Sequence, residues 1–177
     1  MPAFVILDRD GVINENSPNY IKSVEEWIPV PGSLQAIGKL TDAGYKVFIA
    51  TNQAGIARGK LTLLTLQKIH ERMNSEIERF GGKIEDIQFC PHHPNDNCDC
   101  RKPRPGMLTN LATTHDLDLS QGYFVGDSIK DLLASEAVGC TGVLVLSGNG
   151  HRTLKLRPGY EPAHPNLAVF VDNLLAD

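Results

Sequence analysis

Two carboxylates, two positions apart, follow the first apolar run of the sequence. The run Ala3-Phe4-Val5-Ile6-Leu7 is typical of a buried strand and ends in Asp8-Arg9-Asp10-Gly11. In an extended chain the side chains at i and i+2 point to one side, about 7 Å apart, so one cation could bridge both aspartates. An EF-hand calcium loop counted from Asp8 is excluded, because its sixth and twelfth positions hold Ile13 and Asn19 instead of Gly and Glu. A plain Asp-Gly surface turn remains an alternative to a functional site.

A second group of residues has the spacing of a zinc site. Cys90-Pro91-His92 and Cys98-Asp99-Cys100 place three thiols and one imidazole in a short segment. Four such ligands complete a closed tetrahedral zinc site, which is structural and not catalytic. His93 is a competing ligand, but the Cys-x-His spacing matches Cys-x-Cys and favours His92. We expect a zinc-binding loop over residues 90–100; reduced thiols that cluster without a metal are the alternative.

Three cations directly follow this loop, at Arg101, Lys102 and Arg104. A run of charges usually marks a solvated surface. Here the run follows a turn that a bound metal would hold rigid. A basic side chain on a rigid turn loses little further conformational entropy when it binds a phosphate. Arginine adds bidentate hydrogen bonding to phosphate.

The elements that must position these residues alternate between strands and helices. We expect strands at 3–7, 46–50 with a polar end at 51–53, 86–90, 122–127, 141–146 and 167–171. We expect helices at 33–44, 62–80, 105–115 and from the residue after Asp127 to about Val138. This order predicts an α/β fold, a Rossmann-like, mostly parallel sheet with helices on both faces. The Gly- and Pro-containing stretch 148–165 is expected to be a surface loop.

Length and composition narrow the class of protein. The chain of 177 residues is 41% hydrophobic, which suits one globular domain over 1–177. A net charge of −4 argues against a general nucleic-acid or anionic-membrane binder. Because the chain has neither a signal-peptide pattern nor a long apolar run, we expect a cytoplasmic protein whose cysteines are reduced. We also expect a monomer.

The order of the motifs resembles one enzyme family. The motifs are Asp8-x-Asp10-Gly11, Thr51 after the second strand, Lys102, and Gly126-Asp127-x-x-x-Asp131. Together they resemble the four-motif signature of the haloacid dehalogenase-like phosphohydrolases, over residues 4 to about 146. The resemblance implies that family's fold, with the zinc loop in place of a large cap domain.

The resemblance also implies residue roles. Asp8 corresponds to the nucleophile and Asp10 to the general acid and base, while Thr51 and Lys102 hold the transferring phosphoryl group. Mg²⁺ is expected on Asp8, the Asp10 main-chain carbonyl and Asp127, with Asp131 as the second acid of its motif. The chemistry fits these residue types, because an ionised carboxylate can attack phosphorus once cations offset the repulsion between two anions.

Within the family, the cysteine cluster is similar to two branches, which hydrolyse a heptose bisphosphate and histidinol phosphate. The runs 51–59 and 101–107 resemble the heptose branch, while the five-residue gap inside the zinc loop is more like the histidinol branch. We give the two runs more weight than the length of the gap. We therefore expect removal of the C7 phosphate of D-glycero-D-manno-heptose 1,7-bisphosphate through an aspartyl-phosphate. This reaction belongs to the route to ADP-heptose and lipopolysaccharide. A non-catalytic zinc-stabilised binding module is an alternative of another class.

By the same resemblance, the only expected partner is a small sugar bisphosphate. Arg101 is expected to bind its second phosphate. The other expected substrate contacts lie in the loops after the first two strands and are Arg9, Asn16, Ser17, Pro18, Asn19, Asn52, Gln53 and Ala54.

Overall fold

The computed structural model describes residues 3–177, which form one parallel sheet and six α-helices. The strands are β1 (Phe4–Leu7), β2 (Lys46–Asn52), β3 (Ile84–Cys90), β4 (Tyr123–Gly126), β5 (Thr141–Val145) and β6 (Ala163–His164). The helices are α1 (Ser33–Asp42), α2 (Leu63–Arg79), α3 (Gly106–His115), α4 (Ile129–Ala137), α5 (Gly150–Leu156) and α6 (Leu167–Ala176). Short 3-10 turns lie at Pro94–Asp96 and Leu119–Gln121.

The strand β1 is central and buried on both faces. Val5 and Leu7 pack into a core with apolar residues of α1, α2 and α6, whereas Phe4 and Ile6 pack into a second core with residues of α3. This alternation is what the period of two along a strand produces when both faces of a sheet are covered. The predicted α/β class, with helices on both faces of the sheet, is confirmed.

The order of the strands fixes where a site can form. All pairs are parallel, in the order β3-β2-β1-β4-β5-β6. The chain moves outward from β1 to β3 and then returns to the other side of β1 at β4. Parallel sheets bind ligands beyond the carboxyl ends of their strands at such a reversal. Here that position lies beyond the ends of β1 and β4.

Two sequence expectations near the end of the chain are wrong. The run 167–171 is not a strand but the start of α6, whose side chains Leu167, Phe170 and Val171 share one buried face, and the Asn166 side chain accepts a hydrogen bond from Val169 N at 3.0 Å. Five apolar residues cannot by themselves distinguish the two periods. The stretch 148–165 is not only loop, because it contains α5 and the two-residue β6.

Other boundaries differ by one or two residues, the usual scatter at element ends. The strand β3 begins at Ile84 instead of 86, and α2 begins after Thr62, whose side chain accepts a hydrogen bond from Thr65 N. Across residues 3–177, no second group of elements forms a cap domain over the sheet edge. None of the helices in this range combines the length and the apolar content that a bilayer crossing requires.

Candidate active site

The carboxyl ends of the central strands open into a cleft of about 330 Å³. Asp8 directly follows β1, Thr51 is the penultimate residue of β2, and Asp127 directly follows β4. Because these strands are parallel neighbours, their ends bring together residues that are far apart in sequence. The predicted catalytic residues that line this cleft are Asp8, Asp10, Thr51 and Lys102, and the predicted metal ligand Asp127 lies with them.

Three buried carboxylates form a cluster at the floor of the cleft. Oxygen atoms of Asp8, Asp127 and Asp131 lie within 4.8 Å of one another. Burial, together with the negative charge of Asp131, raises the pKa of Asp8 well above its usual value and the pKa of Asp127 to about 7. Like charges at this spacing need a cation, and an all-oxygen donor set fits Mg²⁺. Asp131 thus lies in the cluster, although the sequence analysis did not name it as a ligand.

Lys102 is 2% exposed, and its ammonium contacts two of these carboxylates. Its Nζ lies 3.1 Å from Asp8 Oδ1 and 2.7 Å from Asp131 Oδ1, and it donates to the Ala50 carbonyl at 2.9 Å. Burial alone would lower the pKa of Lys102, but the two carboxylates outweigh it and raise this pKa above its usual value. The lysine is therefore a permanent cation within the acidic cluster.

The Asn52 side chain fixes the main chain of Lys102. Its amide nitrogen donates to the Lys102 carbonyl at 3.1 Å, and its amide oxygen accepts from the Lys102 N–H at 3.0 Å. Asn52 lines the cleft, as expected of a substrate contact, but both amide groups are already engaged. It links the end of β2 to the segment that follows the cysteine loop.

Asp10 is held by donors from three directions. Its Oδ1 accepts from Arg9 Nε at 2.9 Å and from Asn14 Nδ2 at 3.0 Å, and its Oδ2 accepts from Gln53 Nε2 at 3.2 Å. Burial would raise the pKa of Asp10, but the positive charge of Arg9 and these hydrogen bonds lower it overall. Asp10 therefore rests as a carboxylate, whereas Asp8 and Asp127 are pushed toward protonation without a cation.

Two glycines allow the chain to close around Asp127. A Cβ on Gly11, where φ is +85°, would lie 2.1 Å from Asp127 Oδ2, and a Cβ on Gly148, where φ is +57°, would lie 2.3 Å from the same atom. The loop after β5 also donates to this region, from Asn149 N to Asp127 Oδ2 at 2.8 Å and from Ser147 Oγ to the Gly11 carbonyl at 2.7 Å. Any larger residue at either glycine would displace the acid.

Not all predicted substrate contacts reach the cleft. Asn16, Asn52 and Arg101 line it. Arg9, Gln53 and Ala54 are buried and are not among the residues that line the cleft, so their placement does not fit the expected direct contact with substrate. Ser17, Pro18 and Asn19 border shallow surface hollows on the loop after β1 and are not among the residues that line the cleft.

Two cations at the cleft were not predicted. Lys130 of α4 and Arg152 of α5 line it together with Arg101. Desolvation and the positive charge of Arg101 lower the pKa of Lys130, and within residues 3–177 the buried Nη1 of Arg101 has no hydrogen-bond partner. Arg152 was missed because the stretch containing α5 was interpreted as loop. The rim of the cleft is therefore cationic, while its floor is acidic.

The cysteine cluster forms as expected. The three sulfurs of Cys90, Cys98 and Cys100 are 3.0–3.7 Å apart, and His92 Nδ1 lies 3.4 Å from Cys90 Sγ and 3.2 Å from Cys100 Sγ. A tetrahedron with zinc–sulfur bonds of about 2.3 Å has edges of about 3.8 Å. The two sulfur–sulfur distances of Cys98 are near this length, and the sulfurs of Cys90 and Cys100, 3.0 Å apart, would need to separate slightly to bind zinc. His93 is elsewhere, because its Nδ1 accepts from Asn95 N at 3.1 Å.

The charges on these thiols also suit a metal. Burial and the hydrogen bonds that Cys100 donates to Cys90 and Cys98 raise the pKa of Cys100 to about 12. The main-chain N–H of Arg101 helps to lower the pKa of Cys98 to about 7 against its desolvation. Three adjacent thiols oppose one another's ionisation unless a cation is present. Arg104 does not face the cleft. It donates to Cys98 O and Asn97 Oδ1 and supports this loop.

Comparisons with known proteins agree with this geometry. Residues 99–174 match a family model described as HAD-hydrolase-like. A D-glycero-β-D-manno-heptose-1,7-bisphosphate 7-phosphatase of Pseudomonas aeruginosa is 52% identical over 152 residues, 86% of this chain and 85% of that protein. The enzyme of the same name from Pseudomonas putida is 48% identical over 97% of this chain and 95% of its own length.

A solved structure supports the same relationship. The D,D-heptose 1,7-bisphosphate phosphatase from B. bronchiseptica, crystallised with magnesium and phosphate, superimposes with a TM-score of 0.94 at 45% identity and covers 98% of both chains. The identity is high and extends over nearly the full length of both proteins. The chain belongs to the haloacid dehalogenase-like D-glycero-β-D-manno-heptose-1,7-bisphosphate 7-phosphatase family.

Proposed function

We propose that this chain is a Mg²⁺-dependent phosphatase that removes the C7 phosphate of D-glycero-D-manno-heptose 1,7-bisphosphate, in the route to ADP-heptose and lipopolysaccharide. The observation that carries the proposal is a cleft with an acidic floor, formed by Asp8, Asp127 and Asp131, and a cationic rim that includes Arg101. The floor suits a metal and a nucleophile, and the rim suits a second anionic group on the substrate.

In the proposed first step, Asp8 attacks the phosphorus of the C7 phosphate. A bond forms between a carboxylate oxygen and phosphorus, and the ester bond to the sugar oxygen breaks, which gives an aspartyl-phosphate. Because its lowered pKa leaves Asp10 a carboxylate in the free site, Asp10 first takes up a proton from solvent and then donates it to the leaving sugar oxygen. In the second step Asp10 takes a proton from water, and the water oxygen bonds to phosphorus. The bond between phosphorus and the Asp8 oxygen breaks, which releases phosphate and restores the Asp8 carboxylate.

The cations of the site offset the charge of two reacting anions. Lys102 lies against Asp8 Oδ1 and keeps a positive charge next to the reacting oxygen. Thr51 Oγ1 is held by Gln53 Nε2 at 3.0 Å, and we assign this hydroxyl to the phosphoryl oxygens. Bound to Asp8, the Asp10 carbonyl and Asp127, with Asp131 beside them, Mg²⁺ would supply the positive charge that the phosphoryl group requires during transfer.

We assign the second phosphate to the rim. Arg101 has a buried, unpaired N–H among the described residues, and Lys130 lies close enough for the two positive charges to oppose each other. An anion would relieve both effects. A substrate with a cationic amine, such as histidinol phosphate, would add a third positive charge instead.

The test compares kcat/KM for heptose 1,7-bisphosphate and histidinol phosphate in the presence of Mg²⁺. We expect the bisphosphate to be preferred by at least about a hundredfold, which corresponds to about 2.7 kcal/mol. Arg101→Gln should raise KM for the bisphosphate far more than for a sugar monophosphate. A clear preference for histidinol phosphate would refute the choice of substrate.

The structural role of zinc is part of the proposal. We infer that Cys90, His92, Cys98 and Cys100 bind one Zn²⁺ that shapes the loop over 90–100 and so positions Arg101 and Lys102. We further propose that residues 1–177 act as one phosphatase domain, as a monomer in the cytoplasm, with no nucleic-acid or membrane partner. Sedimentation of the purified protein tests the monomer.

A further inference from the structure

One buried histidine has no role in the steps above. His70 lies on α2 and is 8% exposed, and its Nε2 lies 3.1 Å from Arg9 Nη1. A guanidinium has only donors, so this contact requires a lone pair on Nε2. His70 is therefore neutral, with its hydrogen on Nδ1. Burial and the positive charge of Arg9 agree with this, because they lower the pKa of His70 to about 3.

Among residues 3–177, the surroundings of the His70 ring offer no other strong hydrogen-bond partner. The charged groups that act on it are Arg9 and, behind Arg9, Asp10. From β3 the neighbour is the Phe89 ring, 6.2 Å away between centroids. Beside it on α2 are Leu66 and the exposed Gln67. The hydrogen bond to Arg9 is thus the specific polar contact of this side chain.

Arg9 in turn is held from two sides. It is fully buried, and its Nε and Nη2 lie 2.9 Å and 2.8 Å from Asp10 Oδ1. Asn14 donates to this same oxygen, so Oδ1 has a full set of donors. Asp10 Oδ2 has only the longer contact with Gln53. The oxygen that remains available for proton transfer is therefore Oδ2.

We propose that His70 is a positioning residue that fixes Arg9 from behind, so that Arg9 occupies Asp10 Oδ1 and Asp10 presents Oδ2 to the leaving oxygen. The inference rests on the proposed acid and base role of Asp10. In the assisted step the O–H bond at Oδ2 breaks, a bond forms between that proton and the sugar oxygen, and Asp10 is left as the carboxylate that Arg9 holds.

The experiment compares variants that remove or keep a hydrogen-bond acceptor for Arg9 at position 70. His70→Leu and His70→Met remove it at similar volume, whereas His70→Gln places an amide oxygen at a similar distance along α2. Gln67→Leu is the control. Gln67 lines the same surface hollow as His70, one helical turn earlier on α2, and does not contact Arg9. Each variant is assayed with two substrates. The leaving oxygen of a sugar phosphate needs a proton from a general acid, whereas p-nitrophenolate is stable enough to leave without one.

We expect His70→Leu to lower kcat for the sugar phosphate by about tenfold to a hundredfold, with KM little changed and a clearly smaller loss for p-nitrophenyl phosphate. His70→Gln should recover most of kcat, and Gln67→Leu should stay near the wild type. Equal losses for both substrates, an effect confined to KM, or no recovery by Gln would overturn the inference. If His70→Leu does not fold, His70→Met against His70→Gln gives the same comparison. A wild type that hydrolyses no phosphate ester would instead refute the proposed function.

Discussion

At the scale of single residues, the site is a balance of buried charges. Asp8, Asp127 and Asp131 share a small volume, and Lys102 offsets only part of their charge. Asp10 lies just outside this group and has its own cation in Arg9. The two carboxylates of the first motif thus have opposite shifts in pKa, upward at Asp8 and downward at Asp10. A cation bound by the three clustered carboxylates would offset the rise at Asp8 and favour its ionised, nucleophilic form.

The first prediction concerns Asp8. Asp8→Asn keeps the shape of the side chain but removes the attacking oxygen, so we expect phosphate release to fall by about a thousandfold or more. The fold should persist, with a Tm within about 5 °C of the wild type, because a buried like charge is removed. The same change at the exposed Asp42 should leave turnover unaffected. Substantial turnover by Asp8→Asn would exclude Asp8 as the nucleophile.

The second prediction concerns His70 and pH. Its pKa falls from the usual 6.5 in the unfolded chain to about 3 in the fold, so below pH 6.5 the unfolded state binds the proton first. The stabilisation is complete above about pH 6.5 and is lost as the pH falls toward 3. At pH 5 the free energy of unfolding should be about 2 kcal/mol lower than at pH 7 from this residue alone.

Urea unfolding at several pH values measures this effect. The comparison with His70→Gln isolates it, since Asp8 and Asp127, whose pKa values are raised, contribute to both proteins in the same way. From pH 7 to pH 5, the free energy of unfolding of the wild type should fall by about 2 kcal/mol more than that of His70→Gln. A constant difference would mean that His70 does not change its protonation on unfolding.

The sequence predicted which residues gather at the site better than it predicted where their side chains point. The alternation that turns Asp8 and Asp10 to one side turns Arg9 to the other, where it is buried. Arg9 could therefore have been recognised as an internal residue from spacing alone. Gln53 and Ala54 lie beyond the last residue of β2, where no period applies, and their burial follows only from the packing of the loop.

At the scale of elements, the loop over 90–100 joins the cysteine cluster to the cleft. Lys102 follows Cys100 by two residues, and Asn52 ties its peptide to the end of β2. A change in the cluster should therefore reach the cleft through a short length of chain. The motif spacing predicted this cluster, because four ligands close in sequence need little information about the rest of the fold.

The third prediction uses this connection. Cys98→Ser should remove the bound zinc, lower the free energy of unfolding by about 3 kcal/mol or more, and raise KM several-fold, since a metal present at a hundred times its Kd contributes about that much stability. Cys140→Ser is the matched control, because Cys140 is a buried thiol outside the group of four candidate ligands and donates to the Gly122 carbonyl. Metal analysis, unfolding and kinetics are measured on both. An unchanged KM in a zinc-free Cys98→Ser protein would contradict the proposed role of the loop.

Two of the elements that the sequence did not predict are short. The strand β6 has two residues and α5 has seven, so neither provides enough turns or alternations to produce a period. Both are fixed by tertiary contacts, such as the hydrogen bond from Leu144 N to the Pro162 carbonyl. Longer elements with a clear stripe, such as α2, were predicted to within a residue of their ends.

At the scale of the whole molecule, the sheet has a core on each face, and α6 completes one of them. Leu167, Phe170 and Val171 pack with residues of α1 and β1, and Lys39 of α1 pairs with Asp172 of α6 at 2.7 Å. The exposed ion pair adds little, so the apolar contacts account for the docking of this helix. Stability should therefore depend on α6 although it contributes nothing to the cleft.

The fourth prediction follows from this separation. Leu167→Ala empties a position that is 0% exposed and should lower the free energy of unfolding by about 3 kcal/mol, with kcat and KM unchanged. Leu133→Ala makes the same change at a residue of α4 that is 41% exposed, and it should cost less than about 1 kcal/mol. Denaturant unfolding of both variants measures the difference. Equal losses would show that α6 is not part of the core.

The contact among Gly11, Gly148 and Asp127 also bears on when the site comes into existence. Gly11 is synthesised near the start of the chain, whereas Ser147, Gly148 and Asn149, which contact Gly11 and Asp127, are synthesised near its end. On the ribosome, Asp8 and Asp10 therefore emerge long before the partners that complete their surroundings. A nascent chain that stops short of Ser147 should retain magnesium poorly, so that metal loading and catalysis begin only after most of the polypeptide has left the exit tunnel.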